Sequence, residues 1–404
     1  PPYGGRSNTL RATRTMDAYQ ILILLCGLVV FSYLFDLVAK HARLPAVILL
    51  LGLGMALRYA ADRWGMVVPN PGPLLPALGT MGLIMIVFEG ALELTVDHSQ
   101  NRLIRKAFGS ALMILLITTG ILALLAHEYL GATWLTAFAN AVPFAVISSA
   151  VAIPSVAGLG KGGKEFIVYE STFSDILGII LMNFVTAYAV TGSKAFTGLG
   201  FGLLGVLVLS AVFSMLLLLL MGRLNHHIKS FLIIAILVLV YAVGKQLHLS
   251  TLLVVLAFGI FLANADRIPF DWFKQRFLYP TFNRDLELLH SLSRESAFLI
   301  RTFFFILFGF TLQPAEALHA SLLVPALVLL ATVYIVRWTW MRTAVRMNGH
   351  PLWLIAPRGL ITILLYLSLP PELRIPVAGA GLLFIVVCST TLIMAIGLAL
   401  AKRD

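Results

Sequence analysis

Tyr169-Glu170-Ser171-Thr172-Phe173-Ser174-Asp175-Ile176-Leu177-Gly178-Ile179-Ile180-Leu181-Met182 sets Asp175 near the middle of an apolar run. The surrounding segment, from Phe166 to Val190, is long enough to cross a bilayer, which takes about 20 residues. An ionisable group at that depth costs at least ~2.5 kcal/mol on insertion scales, so it faces a polar cavity and marks an ion or proton path. On a helix Ser171 and Asp175 are i,i+4 neighbours, as are Glu170 and Ser174. One face therefore offers a carboxylate with hydroxyls, hard oxygen donors suited to a small alkali cation.

The composition agrees with a chain built for lipid. It is 60% hydrophobic and 12% charged over 404 residues, against roughly 25% charged in ordinary globular domains. A net charge of +11 invites a nucleic-acid reading. The basic residues are instead scattered through short loops between apolar runs, as anionic lipid and the positive-inside rule require. Cys26 and Cys388 both lie in apolar spans, which argues against a disulfide framework. No zinc or haem spacing is present, and no cofactor is expected. Gly158-Leu159-Gly160-Lys161-Gly162-Gly163-Lys164 has P-loop spacing up to its lysine, but Glu165 follows where Ser or Thr is needed. A nucleotide role is excluded on that ground. Residues 1–15 are expected to be a disordered leader or expression remnant, with 16–404 forming the membrane domain.

Apolar runs fall at approximately 18–39, 45–60, 74–94, 105–127, 132–158, 164–191, 198–221, 230–246, 249–264, 286–309, 316–341, 351–370 and 376–401. They predict an all-α polytopic membrane protein of about 13 transmembrane helices. Seventeen basic residues follow the odd-numbered spans. Eight lie on the other side, counting Arg6, Arg11 and Arg14 of the leader. This asymmetry predicts an outside N-terminus and a cytoplasmic C-terminus in a cell (plasma or inner) membrane. With 1.5 Å of rise per residue, Asp175 lies ~16 Å deep, near the midplane. Glu170 is ~9 Å deep by the same rise, level with Arg337 of the eleventh span. Two opposite buried charges at one level are expected to pair.

The fifth span carries Pro143, Ser148, Ser149 and Pro154. The twelfth carries Pro357-Arg358-Gly359. Proline cannot complete the helical bonding pattern, so both helices should break. Two interrupted helices seven spans apart predict two inverted six-helix repeats with crossed, broken helices 5 and 12, as in secondary transporters. The moving core would be approximately 102–191 and 316–401, with the remaining helices as scaffold or dimer surface.

Glu170-Ser171-x-x-Ser174-Asp175, Arg301-Thr302-Phe303-Phe304-Phe305, Arg337, Pro357-Arg358-Gly359 and Phe88-Glu89-Gly90-Ala91-Leu92-Glu93-Leu94 occur in that set across the spans. Together they resemble the monovalent cation:proton antiporter superfamily, in its sodium/proton exchanger branch. The resemblance implies that Asp175 binds cation and proton alternately, that Ser171 adds a cation ligand, and that Glu170 and Arg337 form the ion pair bracing the core. It further implies backbone carbonyl ligands near Ser148 and Ser149, and a homodimer. Two positions depart from the family pattern. Ser174 stands where Asn usually precedes the binding Asp, and Ser148-Ser149 stands where a Thr-Asp pair is usual.

A single deep carboxylate able to hold either a proton or a Na⁺ or K⁺ ion predicts antiport, electroneutral at one for one, in the service of pH homeostasis. Glu89, Arg301 and Arg358 are secondary candidates. The alternative is a cation channel or ion-gated sensory module, but no repeated filter loop is visible. An intramembrane enzyme would need a Ser/His, paired-Asp or His-Glu-x-x-His constellation, and the chain has none.

Overall fold

A computed structural model describes parts of 19–37, then 45–64, 74–94, 101–223, 230–247, 249–312, 319–346 and 352–400. The leader, residues 1–15, lies outside the described residues, as does part of the first expected span. Residues 29–35 of that span are helical.

Fourteen further α-helices follow, with no strand among the described residues: α1 (Ala46–Arg63), α2 (Leu74–Glu93), α3 (Asn101–Leu130), α4 (Trp134–Ala145), α5 (Ser149–Ser155), α6 (Lys161–Thr191), α7 (Lys194–Arg223), α8 (Ser230–Gln246), α9 (Thr251–Ala263), α10 (Asp271–Phe277), α11 (Phe282–Thr311), α12 (Leu323–Trp340), α13 (Leu360–Leu367) and α14 (Ala380–Leu400). Six described stretches are long and apolar enough to cross a membrane, among them α3, α6, α7 and α14. The chain is a membrane protein of helices. The expected tenth span, 286–309, is a longer helix, and the short α10 before it was not expected.

Burial sorts the helices. α3 packs on α4, α6 and α12, while α11 packs on α1 and α2, and α9 on α2, α7 and α8. The fifth-span run Trp134–Ser155 is 83% buried across its apolar window, far more than any other candidate span. A helix buried all round can break only if its freed backbone groups find partners.

The partners are present. α4 starts on Thr133, whose hydroxyl accepts from the Thr136 N–H at 3.3 Å, and ends after Pro143 in the extended residues 146–148. There the Ile147 N–H donates to Ser174 Oγ at 2.9 Å, and the Ser148 N–H to the Pro357 carbonyl at 2.9 Å. The second interruption covers 355–359, between a 3₁₀ turn at Leu352–Leu354 and α13. The Arg358 N–H donates to Thr390 Oγ1 of α14 at 2.9 Å. Through the Ser148–Pro357 bond, the two interruptions touch backbone to backbone.

Glycines permit the approach. A Cβ at Gly359 would lie 2.6 Å from Val151 Cγ2 and 2.8 Å from Ser148 Oγ. A Cβ at Gly178 of α6 would collide with the Val146 side chain. A larger residue at Gly359 would force the two interruptions apart, and one at Gly178 would push α6 off the first of them.

Candidate functional site

Both ends of the fifth-span break meet an opposite charge. The last carbonyls of a helix carry partial negative charge and the first N–H groups partial positive charge. At the end of α4, Arg358 donates from Nε to the Phe144 carbonyl at 2.8 Å and from Nη2 to the Ala145 carbonyl at 3.1 Å. Its Nη1 reaches the Ala356 carbonyl at 2.8 Å. The side chain is fully buried, and these carbonyls replace the water its donors would otherwise need. At the start of α5, the Ser149 N–H donates to Asp175 Oδ2 at 3.1 Å, and the Ser149 hydroxyl bonds the same oxygen.

Asp175 is otherwise left open. Its Oδ1 is buried with no hydrogen-bond partner among the described residues. Ser148 Oγ and Thr362 Oγ1 are buried and unpartnered in the same way. Leaving a buried polar oxygen unsatisfied costs about 1–3 kcal/mol, more for a charged group.

Glu170, earlier on α6, is closed by contrast. Arg337 of α12 donates to Oε1 at 2.9 Å and to Oε2 at 2.8 Å. The two side chains are 0% and 1% exposed. The two-pronged fit is the strongest form of a carboxylate–guanidinium pair. Arg337 also holds the Leu352 carbonyl at 3.2 Å, tying the pair to the second interruption.

The other expected residues take distinct places. Ser174 serves the break through Ile147, while Ser171 donates to the Val168 carbonyl at 3.3 Å. The carbonyls of Phe144 and Ala145, the last of α4, are held by Arg358, and Ser149 turns an N–H and a hydroxyl to Asp175. Glu89 of α2 is not bonded to Asp175. It pairs with Arg301 of α11 at 3.2 Å and, with Glu93, lines a narrow cavity of about 30 Å³ that reaches Ser149.

Three contributors were missed. Glu93 stands one helical turn after Glu89, a spacing visible in the sequence. Thr390 holds the Arg358 N–H, and no local signal marks it. Asn140 of α4 accepts from the Ile375 N–H at 3.2 Å and donates to the Leu373 carbonyl at 2.5 Å, fastening α4 to the link before α14. It was legible as an isolated amide in an apolar span. A larger cavity of about 470 Å³ beside Asn140 is lined almost wholly by apolar side chains, among them Leu122, Phe144 and Val328, and holds no carboxylate.

Two helix breaks in backbone contact, with a half-satisfied carboxylate bonded at one of them, are the features of a membrane ion carrier of the secondary-transporter type. The chain belongs to the sodium/hydrogen exchanger transmembrane family, whose model matches residues 23–401. That is a transporter family rather than an enzyme family. In structure the chain is similar to the sodium proton antiporter MjNhaP1 from Methanocaldococcus jannaschii. At pH 8 that structure gives a TM-score of 0.74 at 18% identity, covering 94% of this chain and 100% of the other. An electron-microscopy structure of the same antiporter gives 0.69 at 17% identity, covering 94% and 96%. These likenesses establish a shared fold. No curated protein sequence matches the chain.

Proposed function

We propose that the protein exchanges a monovalent cation, Na⁺ or K⁺, for a proton by alternating access, with Asp175 as the shared site. The observation that carries this reading is the asymmetry of the Asp175 carboxylate. Oδ2 is fixed by Ser149, while Oδ1 is buried and unpartnered. A proton on Oδ1 neutralises the group, and so does a cation held between Oδ1 and nearby oxygens. The two loads exclude one another, which couples their fluxes without ATP. Ser171, Ser174, Ser148 and Ser149 furnish the surrounding oxygens, and Glu170 with Arg337 braces the helix that carries them.

One titrating carboxylate makes the loaded carrier equally charged in both crossings, so exchange is electroneutral at one for one. No cofactor enters this scheme. The broken helices belong to two inverted six-helix repeats within about 13 spans. The core, 102–191 and 316–401, moves against the remaining helices, which form the scaffold and a homodimer surface in the lipid. The N-terminus lies outside the cell (plasma or inner) membrane and the C-terminus in the cytoplasm, and the physiological role is pH homeostasis.

The test is exchange in proteoliposomes, with Li⁺, Na⁺, K⁺ and Rb⁺ gradients imposed in turn and internal pH followed. Cation-driven proton movement that is lost in D175N supports the reading. Proton or cation flux that is uncoupled from its counter-ion refutes it.

A further inference from the structure

Glu89 and Arg301 form a second charge pair built unlike the first. One nitrogen meets one oxygen at 3.2 Å, and each side chain is 14% exposed. The Arg301 Nε is buried with no hydrogen-bond partner among the described residues. A single-point pair with an unsatisfied donor lacks the two-pronged closure of Glu170 and Arg337, so it can open at little geometric cost.

Its place gives that looseness a use. Glu89, Arg301, Glu93 and Ser149 line the same narrow cavity, and Ser149 bonds Asp175. A cation in this cavity would face both Glu89 and Ser149, the residue that bonds Asp175. Beyond Glu89, towards the end of α2 and the start of α11, lie Glu93, His290 at 4.0 Å from Glu93, and Arg294 at 3.4 Å from His290.

We propose that Arg301 is a tethered counter-ion. It occupies Glu89 while the cavity is empty and competes there with the incoming alkali cation, so the pair sets the cation affinity of the site from this cavity. Glu89 is thereby kept from acting as a second carrier. A guanidinium and an alkali cation cannot both neutralise one carboxylate. The proposal rests on the assignment of Asp175 as the cation site.

The experiment reads Na⁺ affinity in two ways: the midpoint of the Na⁺-dependent rise in unfolding temperature of the detergent-solubilised protein, and the half-saturating Na⁺ for exchange. R301Q should lower both by roughly three- to tenfold, because one repelling charge has gone and Glu89 is freed. E89Q should raise both by a similar factor. E89Q/R301Q should return within about twofold of wild type, as coupled sites do when the interaction is removed whole. R301K, which keeps the charge, should also stay within about twofold, which a purely structural arginine would not require. If R301Q does not fold, the rise in E89Q carries the test. Midpoints that do not move in R301Q or E89Q, or a double variant no nearer wild type than R301Q, overturn the proposal. A Na⁺-dependent stabilisation that survives in D175N overturns the site assignment instead.

Discussion

Glu170 and Asp175 lie about a turn and a half apart on α6, and both are buried. Glu170 has both oxygens taken by a guanidinium that is itself buried. Asp175 has one oxygen taken by uncharged donors and the other by nothing among the described residues. A carboxylate with a permanent countercharge has no reason to exchange its load. One that is half satisfied by neutral donors must find a proton or a cation whenever it is buried. In the proposed exchange, two acids on one helix are divided between bracing and carrying by what stands opposite them.

The largest expected effect is on the carrying side. D175N keeps the shape of the side chain and removes its charge, so exchange in proteoliposomes should fall to the level of empty liposomes while the purified protein stays folded. Residual cation-driven acidification or alkalinisation above that level would count decisively against Asp175.

The bracing side should break differently. E170A or R337A strands a buried charge, which costs about 3–5 kcal/mol. Each single variant should unfold at distinctly lower temperature than D175N does. E170A/R337A should recover part of the loss. Single losses that merely add in the double variant would mean that the pair does not act as a unit.

Much of this contrast is legible in the sequence. Pro143, Pro357 and Gly359 announce where the helices break, because proline lacks the N–H that a helix needs. The rise per residue put Glu170 and Arg337 at one level. Other features were not legible, for physical reasons. Whether Ser148 or Ser149 faces Asp175 depends on the phase at which an extended stretch re-enters a helix, since successive extended residues point to opposite sides. Arg358 reaches carbonyls of Phe144 and Ala145, more than two hundred positions earlier in the chain, and its N–H is held by Thr390 of the last helix. Neither contact leaves a local trace. Arg301 stood out as a charge in an apolar helix, yet only the packing of α2 on α11 gives it Glu89.

A smaller effect separates the two serines at the break. S149A removes the hydroxyl bonded to Asp175 Oδ2 but leaves the backbone N–H in place. Losing one such bond to a charged acceptor is worth about 1.5–3 kcal/mol, or roughly ten- to a hundredfold in an affinity. The half-saturating cation concentration should change within that range, with maximal exchange less affected. S148A removes a hydroxyl with no partner among the described residues and should change it less. Equal effects at the two positions would show that the break orients neither serine specifically.

The smallest expected effect is none. With Asp175 as the one carrier carboxylate, and Glu170 neutralised by Arg337, the loaded site bears the same charge with a proton as with a monovalent cation. A membrane potential acts only on charge that moves, at ~2.3 kcal/mol per elementary charge per 100 mV, so it has no purchase on such an exchange. The measurement imposes a potential with a potassium ionophore, uses Na⁺ or Li⁺ as the driving cation, and follows internal pH. A rate or end point that tracks the potential would mean that a second charge crosses, and Glu89 would be the first residue to replace. The converse change is S174D, which sets a second acid beside Asp175, where the hydroxyl now accepts from the Ile147 N–H. If exchange in that variant becomes potential-dependent while Glu170 and Arg337 are untouched, charge carried past the break, rather than charge held in the brace, decides the coupling.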